Sequence, residues 1–144
     1  MYSRILVPTD GSEITRKAVD TAVKLARRLD AQLFAVAVKE PFPYSAISEV
    51  QPIAPQEFYD AQEKVARARV TAVVEVARDQ AVACTGHTLE SIHPWEAILQ
   101  VAKDQGCDLI VMASHGRRGV AALLLGSETQ RVLLHSPIPV LIVK

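Results

Sequence analysis

Two hydrophobic patterns alternate along the chain. The β-branched run Ile5-Leu6-Val7 stops at Pro8-Thr9-Asp10-Gly11-Ser12, and so reads as a short buried strand closed by turn chemistry. Val19, Ala22, Val23, Ala26 and Leu29 then recur at steps of three and four. Arg16, Lys17, Lys24, Arg27 and Arg28 fall between them, as in an amphipathic helix with a basic outer face. Leu33 to Val38 is apolar at every position, as a strand covered on both faces must be. Lys39 to Ala54 carries Pro41, Pro43 and Pro52 among mixed residues and predicts a long surface loop. Pro55 opens a second helix with Phe58, Ala61, Val65, Ala68, Ala72 and Val76 along one face.

A weaker strand follows between Ala83 and Ile92, interrupted by Gly86. Pro94-Trp95-Glu96 starts a third helix that turns Ala97, Ile98, Val101 and Ala102 inward and is capped by Gly106. Asp108 to Met112 is the fourth strand. Ser127 caps a short last helix that Pro137 terminates, and Pro139 to Val143 is the fifth strand. Strands alternating with helices predict a parallel α/β sheet with right-handed crossovers, Rossmann-like or flavodoxin-like, with helices on both faces. The pattern alone does not order the strands.

A length of 144 residues suits one domain spanning the whole chain. The balance of 16 Lys+Arg against 16 Asp+Glu speaks against a nucleic-acid binder and against a polybasic membrane-surface protein. No apolar stretch reaches the roughly 18 residues of a membrane span, and the first apolar run, cut short at Pro8, is too brief for a signal peptide. The expected location is the cytoplasm. Cys84 and Cys107 form no C-x-x-C, and His87, His93, His115 and His135 show no i,i+4 pairing with one another. Two reduced, buried thiols and no structural metal are therefore expected.

In an open parallel sheet, ligands bind beyond the carboxyl ends of the strands, where the strand order reverses. Two strand ends here carry distinctive chemistry. The first, Pro8-Thr9-Asp10-Gly11-Ser12, brings a carboxylate and two hydroxyls. The other begins Ala113-Ser114-His115-Gly116-Arg117-Arg118 and, after a short apolar stretch, reaches Gly126-Ser127-Glu128-Thr129 at the start of a helix. Gly116 and Gly126 let a backbone approach an anion closely. The N–H groups of residues 127–129 lie at the positive end of a helix dipole. Ser127 and Thr129 offer hydroxyls, and Arg117 and Arg118 offer charge-assisted bonds. On the residues alone, a phosphate cradle and ordinary turn and capping chemistry both stand. In the second reading Asp10 and Ser127 only cap, and the arginines form a solvated loop tip. No nucleophile stands with a base and an orienting group, so no covalent chemistry is predicted.

The pattern Ser114-His115-Gly116, nine residues, then Gly126-Ser127, following Ile110-Val111-Met112, resembles the nucleotide loop of the universal stress protein family. The opening Ile5-Leu6-Val7-Pro8-Thr9-Asp10-Gly11-Ser12 and the closing His135-Ser136-Pro137-Ile138-Pro139-Val140-Leu141-Ile142-Val143 resemble that family's first and last strands. The resemblance runs over essentially the whole chain, most weakly from Lys39 to Gln51 and around Gly86. It implies a five-stranded parallel sheet in the order 3-2-1-4-5, with both motif-bearing loops facing each other at the reversal. It also implies an adenine-nucleotide site for ATP or AMP, with Mg²⁺ where phosphates are bridged, and at most slow hydrolysis. Asp10 and the backbone of Val38 would hold the adenine and ribose end, lined by Pro8 and Thr9. Ala113, Ser114, His115, Gly116, Arg117, Gly126, Ser127, Glu128 and Thr129 would surround the phosphates.

Two departures stand out. The family's pattern begins G-x-x-G, and Ala113 replaces its first glycine, placing a methyl where the backbone meets the ribose or α-phosphate. Glu128 puts a carboxylate in the first turn of the phosphate helix, where it competes for the same dipole. If these departures mark a degenerate pocket, the alternative is a dimeric interaction or signalling module that binds no nucleotide. A flavodoxin-like redox protein fits less well, because only 5% of the residues are aromatic and no flavin-stacking loop is visible. The last strand is apolar on both faces at a sheet edge, which invites pairing. A twofold homodimer through that strand follows, as the resemblance also implies. The stress sensed and the protein partners are not written in the residues.

Overall fold

The computed structural model describes residues 1–42, 56–116 and 125–144. Its elements are β1 (Arg4–Pro8), α1 (Glu13–Leu29), β2 (Gln32–Lys39), α2 (Gln56–Asp79), β3 (Cys84–Glu90), α3 (Pro94–Asp104), β4 (Leu109–Ala113), α4 (Ser127–His135) and β5 (Val140–Val143). The strands form one parallel sheet in the order β3-β2-β1-β4-β5, as the resemblance implied. Two apolar layers cover it. Ile5, Val7, Leu33, Ala35, Ala37, Val111 and Ala113 pack under α1 and α2, while Leu6, Phe34, Val36, Ile110 and Met112 pack under α3 and α4. Alternate residues of one strand serve opposite layers, which is why Ile5 to Val7, Leu33 to Val38 and Leu109 to Ala113 are apolar without a break.

Three helices end in the same way. The N–H groups of Ala31, Val82 and Cys107 reach back to the carbonyls of Ala26, Ala77 and Ala102 at 2.8, 2.9 and 2.8 Å. In each turn the preceding residue, Asp30, Ala81 or Gly106, takes the left-handed conformation, with φ of 54°, 58° and 63°. These are Schellman motifs, which satisfy the last helical carbonyls and seat an apolar residue just beyond the helix. Ala31, Val82 and Cys107 are those residues, and all three are buried. Cys107 is thus a turn plug. Burial pushes its thiol, and that of Cys84, up to about 11, so neither carries appreciable thiolate at neutral pH.

The structure corrects three local expectations. The inner face of α2 is Ala66, Val70, Val73 and Ala77, one position round from the predicted stripe, and Val65 is exposed. Val65, Ala68, Ala72 and Val76 lie beside Ala66, Val70, Val73 and Ala77 as two stripes of equal composition, and packing against β2 and β3 selects the second. Gly86 does not interrupt β3. It pairs with Ala35 inside the strand, where a Cβ would stand 2.8 Å from Val70 Cγ2, so the missing side chain is what lets α2 settle on the sheet. Ser127 is not the cap of α4. Gly126 holds that place, with extended φ and ψ of −62° and 153°. Pro55 and residues 43–54 of the expected loop lie outside the described residues.

Candidate functional site

The order of the strands reverses between β1 and β4. Their paired register runs only through Ile5–Leu109 and Leu6–Ile110, although β1 continues to Pro8 and β4 to Ala113. The last residues of these two strands therefore frame a crevice at the carboxyl edge of the sheet, where the ligand rule places a site.

One wall is the turn after β1. Thr9, 9% exposed, donates its N–H to the Val36 carbonyl at 2.9 Å, and its Oγ1 accepts from Gly11 N–H at 3.2 Å. Asp10 Oδ1 accepts from the Ser12 N–H at 2.9 Å and from the Thr15 hydroxyl at 3.1 Å. Ser12 in turn caps α1. Gly11, at φ 78°, takes a conformation that other residues adopt only with strain. Asp10 thus fills a turn-capping role with one oxygen. Its other oxygen, Oδ2, faces Gly116 so closely that a Cβ there would lie 2.7 Å away. The loops after β1 and β4 meet at this point.

The end of β2 forms the floor beside them. Val36 turns its carbonyl to β1 and Lys39 turns its carbonyl to β3, where it accepts from Ser91. By strand alternation Val38, like Val36, presents its N–H and C=O on the β1 side, but beyond the end of β1. Lys39 fixes this strand end by a 2.7 Å ion pair with Glu63, which also accepts from the Thr88 hydroxyl and pairs with Arg67 at 3.2 Å. The hydrogen-bonded Lys39 ammonium holds the Glu63 carboxyl below its ordinary range. Sequence reasoning passed over Glu63. The Glu63–Arg67 spacing was visible in the chain, but its link to Lys39 depends on where α2 crosses β2.

The second wall runs from β4 into α4. Ser114 is a buried junction whose N–H donates to the Val143 carbonyl at 2.9 Å and whose carbonyl accepts from Gly126 N–H at 2.8 Å. Its hydroxyl lies 3.2 Å from His115 Nδ1. Gly126 packs against His115, whose Cα would lie 3.1 Å from an added Cβ. The first hydrogen bond within α4 runs from Gln130 N–H to the Gly126 carbonyl, and Gly126 brings no capping side chain. The N–H groups of Ser127, Glu128 and Thr129 are therefore the first-turn donors left outside the helix's own ladder, with no acceptor among the described residues.

The structure reassigns three of the expected roles here. Ala113 is 4% exposed and its methyl packs in the α1 layer, so it adds no surface to the crevice. The Thr129 side chain is buried and its hydroxyl donates to the Ala113 carbonyl at 3.0 Å, which commits it to the fold rather than to a phosphate. The Glu128 carboxylate reaches across to α3 and accepts from Trp95 N–H at 2.8 Å, so it caps α3 and not its own helix. Trp95 also stacks on His135, with centroids 4.5 Å apart, which fastens α3 to the last turn of α4. Arg117 lies outside the described residues. A separate cleft of about 370 Å³, lined by Trp95, Leu99, Cys107, His135 and Ile138 among others, shares none of these residues with the crevice. Among the described residues no group of three or more His, Cys, Asp or Glu converges as metal ligands, and no helix is long and apolar enough to cross a membrane.

The universal stress protein family model matches residues 1–144. A universal stress protein of Thermus aquaticus is 35% identical over 144 residues, with 100% of each chain covered. Among solved structures, universal stress protein UspA from Lactobacillus plantarum superposes with a TM-score of 0.83 at 27% identity, covering 99% of this chain and 98% of its own. A universal stress protein in complex with cAMP superposes with a TM-score of 0.70 at 25% identity, covering 99% and 97%. The chain belongs to the universal stress protein family.

Proposed function

We propose that the crevice between β1 and β4 binds an adenine nucleotide, AMP or ATP, and that the chain acts in the cytoplasm as a homodimeric, adenylate-responsive stress protein rather than as an enzyme. One observation carries this reading. α1 is capped by Ser12 and α3 by Glu128, whereas α4 opens at the crevice on a glycine with no capping side chain. Three backbone donors at the positive end of a helix, behind a close-packed glycine turn, suit a phosphate. Val38 offers a donor and an acceptor for the edge of a base, and Asp10 stands at the ribose position beside Gly116. Asp10 and Glu128 are already held by Ser12, Thr15 and Trp95. Any Mg²⁺ therefore enters as part of the nucleotide's own phosphate complex. The cAMP complex of a relative is consistent with an adenylate ligand.

The dimer reading rests on β5. It is an edge strand in the observed order, and Leu141 is 41% exposed on it. A second β5 laid antiparallel supplies the missing backbone partners and covers this residue. The test is calorimetric titration of nucleotide-stripped protein, sized by light scattering, with AMP and ATP, each with and without Mg²⁺. The expected result is micromolar binding to a dimer. No heat and no thermal stabilisation up to millimolar ligand would leave the interaction-module reading in its place, and a monomer in light scattering would remove the β5 interface.

A further inference from the structure

We infer that Glu128 makes the crevice selective for adenosine monophosphates over the triphosphate; the inference rests on the nucleotide reading above and specifies its ligand. Glu128 is the second residue of α4, and its own N–H is one of the three first-turn donors. Its carboxylate is held in place, with Oε2 2.8 Å from the Trp95 N–H and Oε1 4.0 Å from Arg131. Swinging away would strip α3 of its cap, so the charge stays beside the phosphate position whether or not a ligand is present. A phosphate on the donors of residues 127–129 lies within about one helical turn, roughly 5 Å, of that charge.

One phosphate satisfies the three donors, and each further phosphate brings more negative charge up to the fixed Glu128 carboxylate. Repulsion scales with the product of the charges, so ATP, with about twice the charge of AMP, is penalised more. Arg131, half exposed and 4.0 Å from Glu128 Oε1, tempers this repulsion. Glu128 therefore has two tasks: it closes α3 and it limits the number of phosphates.

The experiment compares the Kd of AMP and ATP for the wild type and Glu128→Gln, at low and high salt, with and without Mg²⁺. The amide oxygen of the glutamine still accepts from Trp95, so the variant keeps the cap and loses only the charge. Without Mg²⁺ the wild type should favour AMP. Glu128→Gln should tighten ATP about two- to fivefold more than AMP, the range expected for one charge in a first helical turn. On the wild type alone, the preference for AMP should shrink at high salt and with Mg²⁺, because both neutralise the same repulsion. Tighter binding of Mg²⁺-free ATP than of AMP by the wild type, or an equal shift of both ligands in the variant, would overturn the inference. Failure of either nucleotide to bind either protein would instead overturn the nucleotide reading beneath it.

Discussion

Where the strands begin, three helices close with one repeated turn and Asp108 ties β1 to β4. Where the strands finish, no such repeated turn is seen among the described residues, and α4 starts on a glycine with no capping side chain. The two edges use the same residue types for opposite ends. At the first edge, Asp108 accepts from the N–H groups of Ser3 and Arg4 at 3.0 and 3.1 Å and from the Ser3 hydroxyl at 3.1 Å. Arg4 Nε donates to the Gln105 carbonyl at 2.6 Å, and its guanidinium lies 4.6 Å from the centre of the Phe34 ring. At the second edge, Asp10 accepts from Ser12 and Thr15 of the following turn and helix, and Glu128 serves another helix. One edge spends its polar groups on joining the strands, and the other leaves backbone donors facing a crevice. Stability should accordingly respond to changes at the first edge and ligand affinity to changes at the second.

Gly126→Val gives the largest expected effect. Its Cβ would press on the His115 backbone, and the start of α4 must move away from Ser114 to relieve it. Overpacking of this kind is worth about 2 kcal/mol, or some thirtyfold in Kd. Calorimetry should show nucleotide binding weakened by that factor while circular dichroism stays that of the folded protein. Unchanged affinity would place the phosphates elsewhere.

Asp108→Ala is the counterpart at the other edge. It removes hydrogen bonds to a charged acceptor and should cost about 1–2 kcal/mol in urea unfolding, with nucleotide affinity unaltered. Burial pushes the Asp108 carboxyl up, but the N–H groups of Ser3 and Arg4 outweigh it and hold the group below its ordinary value. A lowered carboxyl stabilises the fold above the unfolded-state pKa of about 4, and that contribution is lost as pH falls through the lower, folded value. The wild type should therefore lose stability faster than Asp108→Ala on acidification below about pH 4. Parallel acid titrations would show the Asp108 contribution to be absent.

Ala81→Gly should give the smallest effect, and it is favourable. Ala81 holds the left-handed turn position that Gly106 fills elsewhere. Relief of that backbone strain outweighs the added freedom of glycine in the unfolded chain, for a gain of about 0.5 kcal/mol. A thermal melt shifted downward instead would mean that the three turns are not equivalent.

The sheet was legible because its signals are local. The strand β2 is apolar without a break from Leu33 to Val38, and α1 alternates apolar and basic residues with a helical period, so neither depends on a distant partner. The face of α2 was misread because two adjacent stripes of small residues differ only in how they meet β2 and β3. Gly86 was read as a break because its meaning lies in Val70, on another element. The site divides in the same way. Asp10, Gly116 and Gly126 stand out by type and spacing within their own loops. The Glu128 carboxylate was read as a competitor for its own helix dipole and the Thr129 hydroxyl was given to the phosphates, because their partners, Trp95 and the Ala113 carbonyl, become neighbours only once α3 and α4 pack. Strand order came from family resemblance and not from any local pattern.

The bond between Gly126 and the Ser114 carbonyl joins two points far apart in sequence, and the Thr129 hydroxyl on Ala113 doubles it. The chain between them is a closed excursion whose ends the fold itself holds together. The entropy of closing such a loop grows only with the logarithm of its length, so doubling the span would cost about 0.6 kcal/mol. A change of length between the two anchors therefore costs the fold little, because the anchoring bonds lie at the end of β4 and the start of α4.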